Sequence, residues 1–393
     1  MSRALPPVIH VTTVHPPFDG RIYYKEVRGL ADVGVDVSLA TTVERRTQAE
    51  GVTLLPLGVR GGSRLRRIGR ALRALATMIS HREAVIHIHD PELLPIALLP
   101  ALLGSRVVYD VHEFHADTIM GRAWIPRALR PLVRGCYESV ERLALRRVAG
   151  VVVVVEGMLA HYERRMPAGR VALVRNFPNI GPDDVARARA SGHPLDGRPY
   201  VIHTGGASKR VSYHLLVEAA ERMRKLSPDL AFVNIGENDL GDYAQDQREE
   251  LETRARATGV LELGRLAYPD VLRWLAHARI GYIPLEDTLN HRIALPNKLF
   301  EYLQFGLPVV ADRIGRVAEI VDEHDVGILV APDAGSHASA LHAVHTRDAL
   351  YTRYSRHAQN ASRVYSFKNE LPALKNLYER ICVSTSKPAL LAR

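Results

Sequence analysis

Short runs rich in β-branched residues alternate with helix-spaced segments along this chain, and past its midpoint the alternation starts afresh. No other feature restricts the fold as much. A strand that passes through a helix before the next strand comes back parallel to itself, so the product is a parallel sheet with helices on both faces. The spacing predicts strands over 8–13, 35–40, 52–57, 84–88, 107–111 and 150–155, with helices over 23–30, 65–79, 93–103 and 127–148. A second set of strands is expected over 200–203, 230–235, 260–263, 280–284, 308–311 and 327–330. Between the sets, residues 176–199 read NFPNIGPDDVARARASGHPLDGRP, a Pro-, Gly- and Asp-rich stretch that breaks both periodicities and reads as a connection between domains.

A chain of 393 residues that is 47% hydrophobic has material for two cores. The expected architecture is therefore α/β: two doubly wound parallel sheets, over 1–180 and 195–365, with 366–393 as a C-terminal helix able to pack back on the first domain. Ligands of such sheets bind beyond the carboxyl ends of the strands, so two facing sheets are expected to share a cleft.

The formal charge of +9 favours anionic partners. Zinc-ligand spacing, an RNA-binding aromatic motif and a low-complexity tail are all missing from the sequence, which disfavours nucleic acid. The opening MSRALPPVIHVTTV has neither the apolar core nor the cleavage site of a signal peptide, and Pro100 and Gly104 interrupt the longest apolar stretch. With Cys136 and Cys382 far apart and read as free thiols, the expectation is a soluble protein of the reducing cytoplasm.

Three segments carry chemistry. The first strand runs into HVTTVHPPFDGRIYYKE, where Gly20 sits at a strand-to-helix turn that lets an anion approach the backbone. The second is HTGGASKRVSYHLLVEA: Gly205 and Gly206 follow a strand, Lys209 and Arg210 follow them, and a helix opens near Ser212. Backbone N–H groups, a helix N-terminus and two cations together suit a diphosphate. The spacing matches neither the Walker loop nor the GxGxxG fingerprint. The third is ALPNKLFEYLQFGLPVVADRIGRVAEIV, in which Asn297 is expected to cap a helix, Lys298 stands in its first turn against the helix dipole, and Glu301 follows one turn later. A lysine in that unfavourable place hints at an anion, and a carboxylate at a cleft edge can accept both hydroxyls of a ribose. Leu266, beyond the strand at 260–263, is a further candidate nucleotide contact.

With these residues in view, the chain resembles glycosyltransferase family 4, the retaining enzymes of the GT-B fold, which pair two Rossmann-like domains across a cleft. The resemblance runs from about Val8 to Val330 and is most specific in PNKLFEYLQFGLPVVA, with Glu319 downstream; HDPELLPIALL, YDVHE and NIGEND are further landmarks. It implies transfer of a sugar from a nucleoside diphosphate sugar, UDP first among the bases, to a saccharide, glycolipid or small natural product. It gives Glu301 the ribose, Arg210 with Lys209 the diphosphate, and His112, expected neutral, a place near the transferred sugar. Gly20 becomes the turn that closes on the diphosphate. One departure stands out: where the family places a first glutamate, eight residues before Glu301, this chain has Ile293, with Glu286, Asp287, Asn290 and Arg292 nearby.

No metal or other cofactor is expected. The sequence contains no Asp-x-Asp, and the pairs His87/His89 and His112/His115 are weak as zinc sites. An epimerase or hydrolase of the same fold, and a nucleotide-binding protein without turnover, are the competing readings. Two Arg-rich stretches remain. In SRLRRIGRALRALATMI, Leu65, Ile68, Leu72, Leu75 and Ile79 form an apolar stripe among arginines. The ordinary expectation sets that stripe on the core; the other lays it on an anionic membrane, with Trp124 of the second stretch as an anchor.

Overall fold

The computed structural model describes residues 5–61, 63–121, 125–293 and 295–384. The chain divides into two compact units, one of 1–179 with 367–393 and the other of 180–366.

In the first unit, β1 (Val8–Val11), β2 (Val37–Thr41), β3 (Thr47–Ala49), β4 (Val52–Pro56), β5 (Val85–Ile88), β6 (Arg106–Val111), β7 (Gly150–Val153) and β8 (Val171–Leu173) form one sheet in the order β3-β4-β2-β1-β5-β6-β7-β8. Every pairing is parallel except the short β3–β4 hairpin. A π-helical turn (Ile22–Val27) running into α1 (Arg28–Asp32) follows β1. Then come α2 (Arg64–Ser80), α3 (Leu94–Leu102), α4 (His115–Gly121), α5 (Arg130–Leu145) and α6 (Glu156–Glu163). Val11, Ile86, Ile88, Val107 and Tyr109 of the sheet are buried against Ala74 and Met78 of α2, Ala97 of α3 and Leu145 of α5. The strands are buried almost end to end, as strands covered on both faces must be.

The second unit begins with α7 (Pro182–Ala190), which lies inside the stretch expected to be irregular connection. Asp184 Oδ2 accepts from the Gly181 N–H at 2.9 Å, and Pro182 at the first helical position lacks only an N–H that would be orphaned anyway. Its sheet runs β11 (Leu261–Glu262), β10 (Ala231–Ile235), β9 (Tyr200–Thr204), β12 (Ile280–Ile283), β13 (Val309–Asp312), β14 (Gly327–Val330), all parallel. Around it stand α8 (Tyr213–Leu226), α9 (Gln245–Thr258), α10 (Tyr268–His277), α11 (Leu289–Ile293), α12 (Asn297–Gln304), α13 (Gly315–His324), α14 (Ala334–Thr346) and α15 (Asp348–Ser362). The last helix, α16 (Phe367–Ser384), belongs to the first unit and packs on β7, β8 and α1. Gly150 permits that approach, because a Cβ there would meet the Leu377 side chain at 3.1 Å.

Each sheet reverses its direction of growth at one place. The first does so between β1 and β5, the second between β9 and β12. At such a switch point the flanking crossovers leave the sheet in opposite directions and open a crevice at the carboxyl edge. These two edges hold the polar residues described next.

Candidate functional site

In the second unit, β9 ends in Thr204 and the chain turns through Gly205 and Gly206. Both glycine N–H groups donate to the Ile235 carbonyl at the end of β10, at 2.8 and 3.0 Å. The sequence reading gave these donors to a diphosphate; here the neighbouring strand takes them. What makes the glycines necessary is space. Gly206 has φ +73°, and a Cβ on it would run into the Glu237 carbonyl oxygen. Gly236, at φ +139°, is packed backbone to backbone against Gly206. A Cβ on Gly205 would occupy the place of Lys298 Nζ.

Lys298 is brought there by α12. Pro296, at φ −70°, is the residue before the helix, so Asn297 is its first residue rather than its cap, and no side chain caps it. Proline's locked φ already directs the chain into the helix. Leu299, Phe300, Tyr302 and Leu303 are buried, and this face fixes the helix against the sheet. The Tyr302 ring lies where a Cβ on Gly281 would be, and its hydroxyl accepts from the Thr204 N–H at 3.0 Å and donates to the Ile202 carbonyl at 3.2 Å. The helix start is thereby tied to the end of β9.

Lys298 and Glu301 stand on this anchored turn, both partly buried. Lys298 Nζ lies 3.4 Å from His203 Nε2. His203 donates from Nδ1 to the Tyr282 carbonyl at 3.0 Å, which leaves Nε2 as the acceptor for the lysine. Burial lowers the His203 pKa well below the usual imidazole value, and Lys298 lowers it further. Burial also brings Lys298 down to about 7, against the opposing pull of Glu301. A cation whose charge is this poorly solvated gains strongly from a bound anion. Lys209 and Arg210 are exposed in the turn before α8, and Arg210 Nη2 is 3.9 Å from Asp239 Oδ2. The Arg210 carbonyl accepts from the Glu286 N–H at 3.1 Å, which pins that turn to the loop after β12. Gly205, Gly206, the Lys209–Arg210 turn, Lys298 and Glu301 thus share the carboxyl edge at the β9/β12 switch point. Leu266, partly buried, follows β11, two strands along the same edge. Ile293 is 66% exposed on the short α11, while Arg292 and Asp287 engage each other at 2.7 and 2.8 Å. Glu319 is exposed and pairs with Arg316.

In the first unit, His112 lies just past β6, and its Nε2 donates to Asp110 Oδ2 at 2.7 Å. Asp110 is fully buried and also takes Arg21 Nε at 3.0 Å, Arg21 Nη2 at 2.9 Å and His89 Nδ1 at 3.0 Å. Burial alone would raise the Asp110 pKa; Arg21 first, then His112, outweigh it and hold the carboxyl well below its usual range. In the sequence Asp110 stands out only as part of the YDVHE landmark, and Arg21 only as the residue after Gly20. Gly20, beside Arg21, is exposed, and a Cβ there would meet nothing, so its own chain leaves room for a ligand. Asp19 Oδ1 accepts from the Arg21 and Ile22 N–H groups at 2.9 and 3.0 Å and holds that turn.

Strand register gathers more than the sequence disclosed. His10 of β1 is in register with His87 of β5, so the two rings lie 4.6 Å apart, and His10 Nδ1 meets His89 Nε2 at 2.8 Å. Glu26 Oε2 is 3.7 Å from His10 Nδ1 and 3.8 Å from His87 Nδ1, and Glu26 Oε1 meets Arg21 Nη2 at 2.7 Å. Among the described residues, His10, Glu26, His87 and His89 form one group with the ligand types to hold a metal ion, and His89, Asp110 and His112 form another. Burial lowers the pKa of His10, His87 and His89, and it raises that of Glu26. Within the group, His10 donates to His89, His89 and His112 donate to Asp110, and Arg21 supplies the balancing charge. His15 is a neighbour the sequence reading missed. Its Nδ1 meets Asp90 Oδ1 at 2.9 Å, and Asp90 raises its pKa against the effect of burial. The pattern His-Pro directly after a strand was its only signal.

Known proteins were compared with this chain. The family described as glycosyl transferases group 1 matches residues 198–347, and the glycosyl transferase 4-like domain matches residues 21–176. The glycogen synthase of Mycobacterium tuberculosis is 25% identical over 302 residues, 76% of this chain and 69% of that protein. Sucrose-phosphate synthase from Thermosynechococcus elongatus has a similar structure, with a TM-score of 0.66 at 17% identity, covering 96% of this chain and all (100%) of that one. HepE from Anabaena, solved in complex with UDP-glucose, superposes with a TM-score of 0.61 at 14% identity, over 97% of this chain and 99% of that one.

Proposed function

The chain is a glycosyltransferase built on the GT-B fold, and we propose that it moves a sugar from a nucleoside diphosphate sugar, a UDP-sugar first, to an acceptor hydroxyl with retention of anomeric configuration. The observation that carries this reading is Lys298: a poorly solvated ammonium set over Gly205 at the switch point, one turn before Glu301 on the same anchored helix. An ammonium held there is complementary to a diphosphate, and a carboxylate one turn later is complementary to the two hydroxyls of a ribose.

In this mechanism the acceptor oxygen bonds to the anomeric carbon as the bond from that carbon to the diphosphate oxygen breaks. The acceptor proton passes to the departing phosphate on the same face. Lys298, with Lys209 and Arg210, neutralises the charge that grows on the diphosphate. His112, its ring orientation set by Asp110, contacts the transferred sugar, and Gly20 admits the diphosphate to the backbone. This step needs no divalent ion, so EDTA is expected to leave the initial rate unchanged; a rate restored only by added magnesium or manganese would refute that part.

HepE was solved with UDP-glucose, which supports UDP as the first donor to test. Thermal-shift measurements with UDP, GDP, ADP and dTDP sugars identify the base, because a ligand selective for the folded state must raise apparent stability. NMR of the product then reads the anomer. Epimerised or freely hydrolysed sugar, formed without any dependence on acceptor, would overturn the transferase reading. Glu301→Ala is expected to weaken UDP binding about tenfold to a hundredfold in titration calorimetry, the value of one or two hydrogen bonds to a charged group. Unchanged affinity would remove Glu301 from the ribose.

For the acceptor we propose a saccharide-bearing molecule, lipid-linked or soluble. A polar pocket of about 190 Å³ in the first unit, lined in part by Phe114, His115, Asp117, Arg134 and His161, suits a polyhydroxylated ligand. A cytoplasmic location, with contact at the inner membrane surface, belongs to the same reading. Among the described residues no helix is long and apolar enough to cross a membrane.

A further inference from the structure

Buried polar side chains enter the first unit in two places, with opposite outcomes. On α2 the inward side is made by Arg70, Ala74 and Met78. The Arg70 guanidinium finds partners there: it donates from Nε to the Thr13 carbonyl at 3.2 Å and from Nη1 to the Val59 carbonyl at 2.9 Å. That roll turns the stripe expected on the core outward, so Leu65, Ile68 and Leu72 are exposed; Trp124 lies outside the described residues.

The second place is the group His10, Glu26, His87 and His89, each at most 1% exposed. His10 Nε2, His87 Nε2 and Glu26 Oε2 are sealed from solvent and have no hydrogen-bond partner. Imidazole nitrogens of His10, His87 and His89 stand around Glu26 Oε2 at 3.7, 3.8 and 4.0 Å, too far to bond it directly. A buried polar atom left in this way costs about 1–3 kcal/mol, so several in one place call for a cause. Charge points the same way. Glu26 and Asp110 are two buried carboxylates that share one buried guanidinium, that of Arg21. With both ionised, the group carries a negative charge that no side chain offsets.

The spacing suits a divalent ion. One ligand atom from each of the four residues lies within 4.8 Å of the others. Tetrahedral zinc, with bonds of about 2.0–2.2 Å, sets neighbouring ligand atoms about 3.3–3.6 Å apart, so the nitrogens around Oε2 need to close by only a few tenths of an ångström. The outer contacts are those of metal-binding histidines. His89 gives its other N–H to Asp110 at 3.0 Å, and the Tyr378 hydroxyl, brought by α16, meets His87 Nδ1 at 2.7 Å. Glu26 stands on the π-helical turn Ile22–Val27, a rare winding that recurs at functional sites. In the sequence His87 and His89 alone make a weak pair; strand register adds His10, and the wide turn adds Glu26. In the other group every residue already bonds within it, since His89 and His112 both donate to Asp110.

We propose that His10, Glu26, His87 and His89 form a structural site for a divalent transition-metal ion, zinc first, which ties the β1/β5 switch point to the turn after β1 and, through His89, steadies Asp110. Three imidazoles and one carboxylate are a donor set that zinc takes. Protein fills all four positions and solvent reaches none, so the ion has no open place for a reactant and enters as the unit folds. The site is separate from the residues assigned to the donor diphosphate, and an ion sealed in this way is not taken by brief EDTA treatment.

The test begins with the zinc content of the full chain, expressed with added zinc, dialysed against EDTA and read by inductively coupled plasma mass spectrometry. About one ion per chain is expected. Expression with cobalt should replace it and give the visible absorption bands of a four-coordinate cobalt centre. Glu26→Gln is the sharpest variant, because glutamine copies a protonated glutamate but not a metal-bound carboxylate. It should lower the bound zinc at least about tenfold and reduce the thermal midpoint by several degrees. His87→Asn should do the same. His112→Asn should keep the ion, since His112 belongs only to the other group. The proposal falls if the wild type carries no stoichiometric metal, if Glu26→Gln retains it, or if His112→Asn removes it. None of these measurements involves donor or acceptor, so the outcome is independent of the sugar-transfer reading.

Discussion

Replacing Asp110 by asparagine is expected to lower the unfolding free energy by about 3–5 kcal/mol, the usual cost of removing one half of a buried ion pair. Asp110 has no exposure and takes two hydrogen bonds from Arg21, one from His89 and one from His112. An asparagine keeps the shape but leaves the guanidinium with the Val174 carbonyl and with Glu26, whose ionisation burial opposes. It also presents an amide N–H₂ where three donors already point. Urea unfolding followed by near-UV circular dichroism measures the loss. A double-mutant cycle with Arg21→Met separates the pair from the single truncations. A cost under about 1 kcal/mol would mean that the pair is solvated, as exposed pairs are. The pH dependence has a definite sign. The folded pKa of Asp110 lies below the unfolded value of about 3.9, so its contribution is present above that value and fades as pH falls toward the folded pKa. The asparagine variant should lack this acid-side slope. Transfer activity should fall as well, because His112 loses the acceptor that orients it.

Lys298→Ala is expected to lower kcat by about 10²–10³, the effect of losing one preorganised contact to developing charge. The small residue at position 205 exists to admit this ammonium, so alanine leaves a hole rather than a clash. The pH profile makes the test specific. With its pKa brought down to about 7 by burial, the free enzyme loses the Lys298 charge as pH rises, and kcat/KM should decline on the alkaline side of neutrality. Donor binding restores the proton, so calorimetry near pH 8 in buffers of different ionisation enthalpy should detect proton uptake. Stability must move the other way. A lysine depressed to about 7 in the fold and near 10.4 when unfolded binds more protons unfolded over that window, so unfolding free energy rises with pH there. An alkaline decline that persists unchanged in Lys298→Ala would assign it to another group.

Much of this was written locally. The alternation of β-branched runs with helical spacing specified two parallel sheets, because pleat and helix period are properties of a few neighbouring residues. The helix that carries Lys298 and Glu301 was legible for the same reason, with one turn between the two charges, although the sequence placed its cap at Asn297 and the structure gives that position to Pro296. The short strands β3 and β8 and the helix in the interdomain connection were not, since three residues carry little period and a Pro-Asp-Asp start looks like loop chemistry until Asp184 is seen to cap it.

What the tertiary structure alone decided were the relations between distant segments. Sequence marked Gly205 and Gly206 but assigned their N–H groups to a ligand; lateral strand order gave those groups to Ile235 and gave the empty space to Lys298. Sequence listed scattered histidines; the register of β1 on β5 put His10 beside His87, and Asp110 with Arg21 became the buried centre of the group. Sequence supplied an amphipathic α2 but not its roll, which depended on carbonyls that only the folded loops bring within reach of Arg70. Periodicity and backbone sterics act over a few residues and can be read along the chain, whereas register, roll and burial are settled by which surfaces meet once the chain has closed on itself.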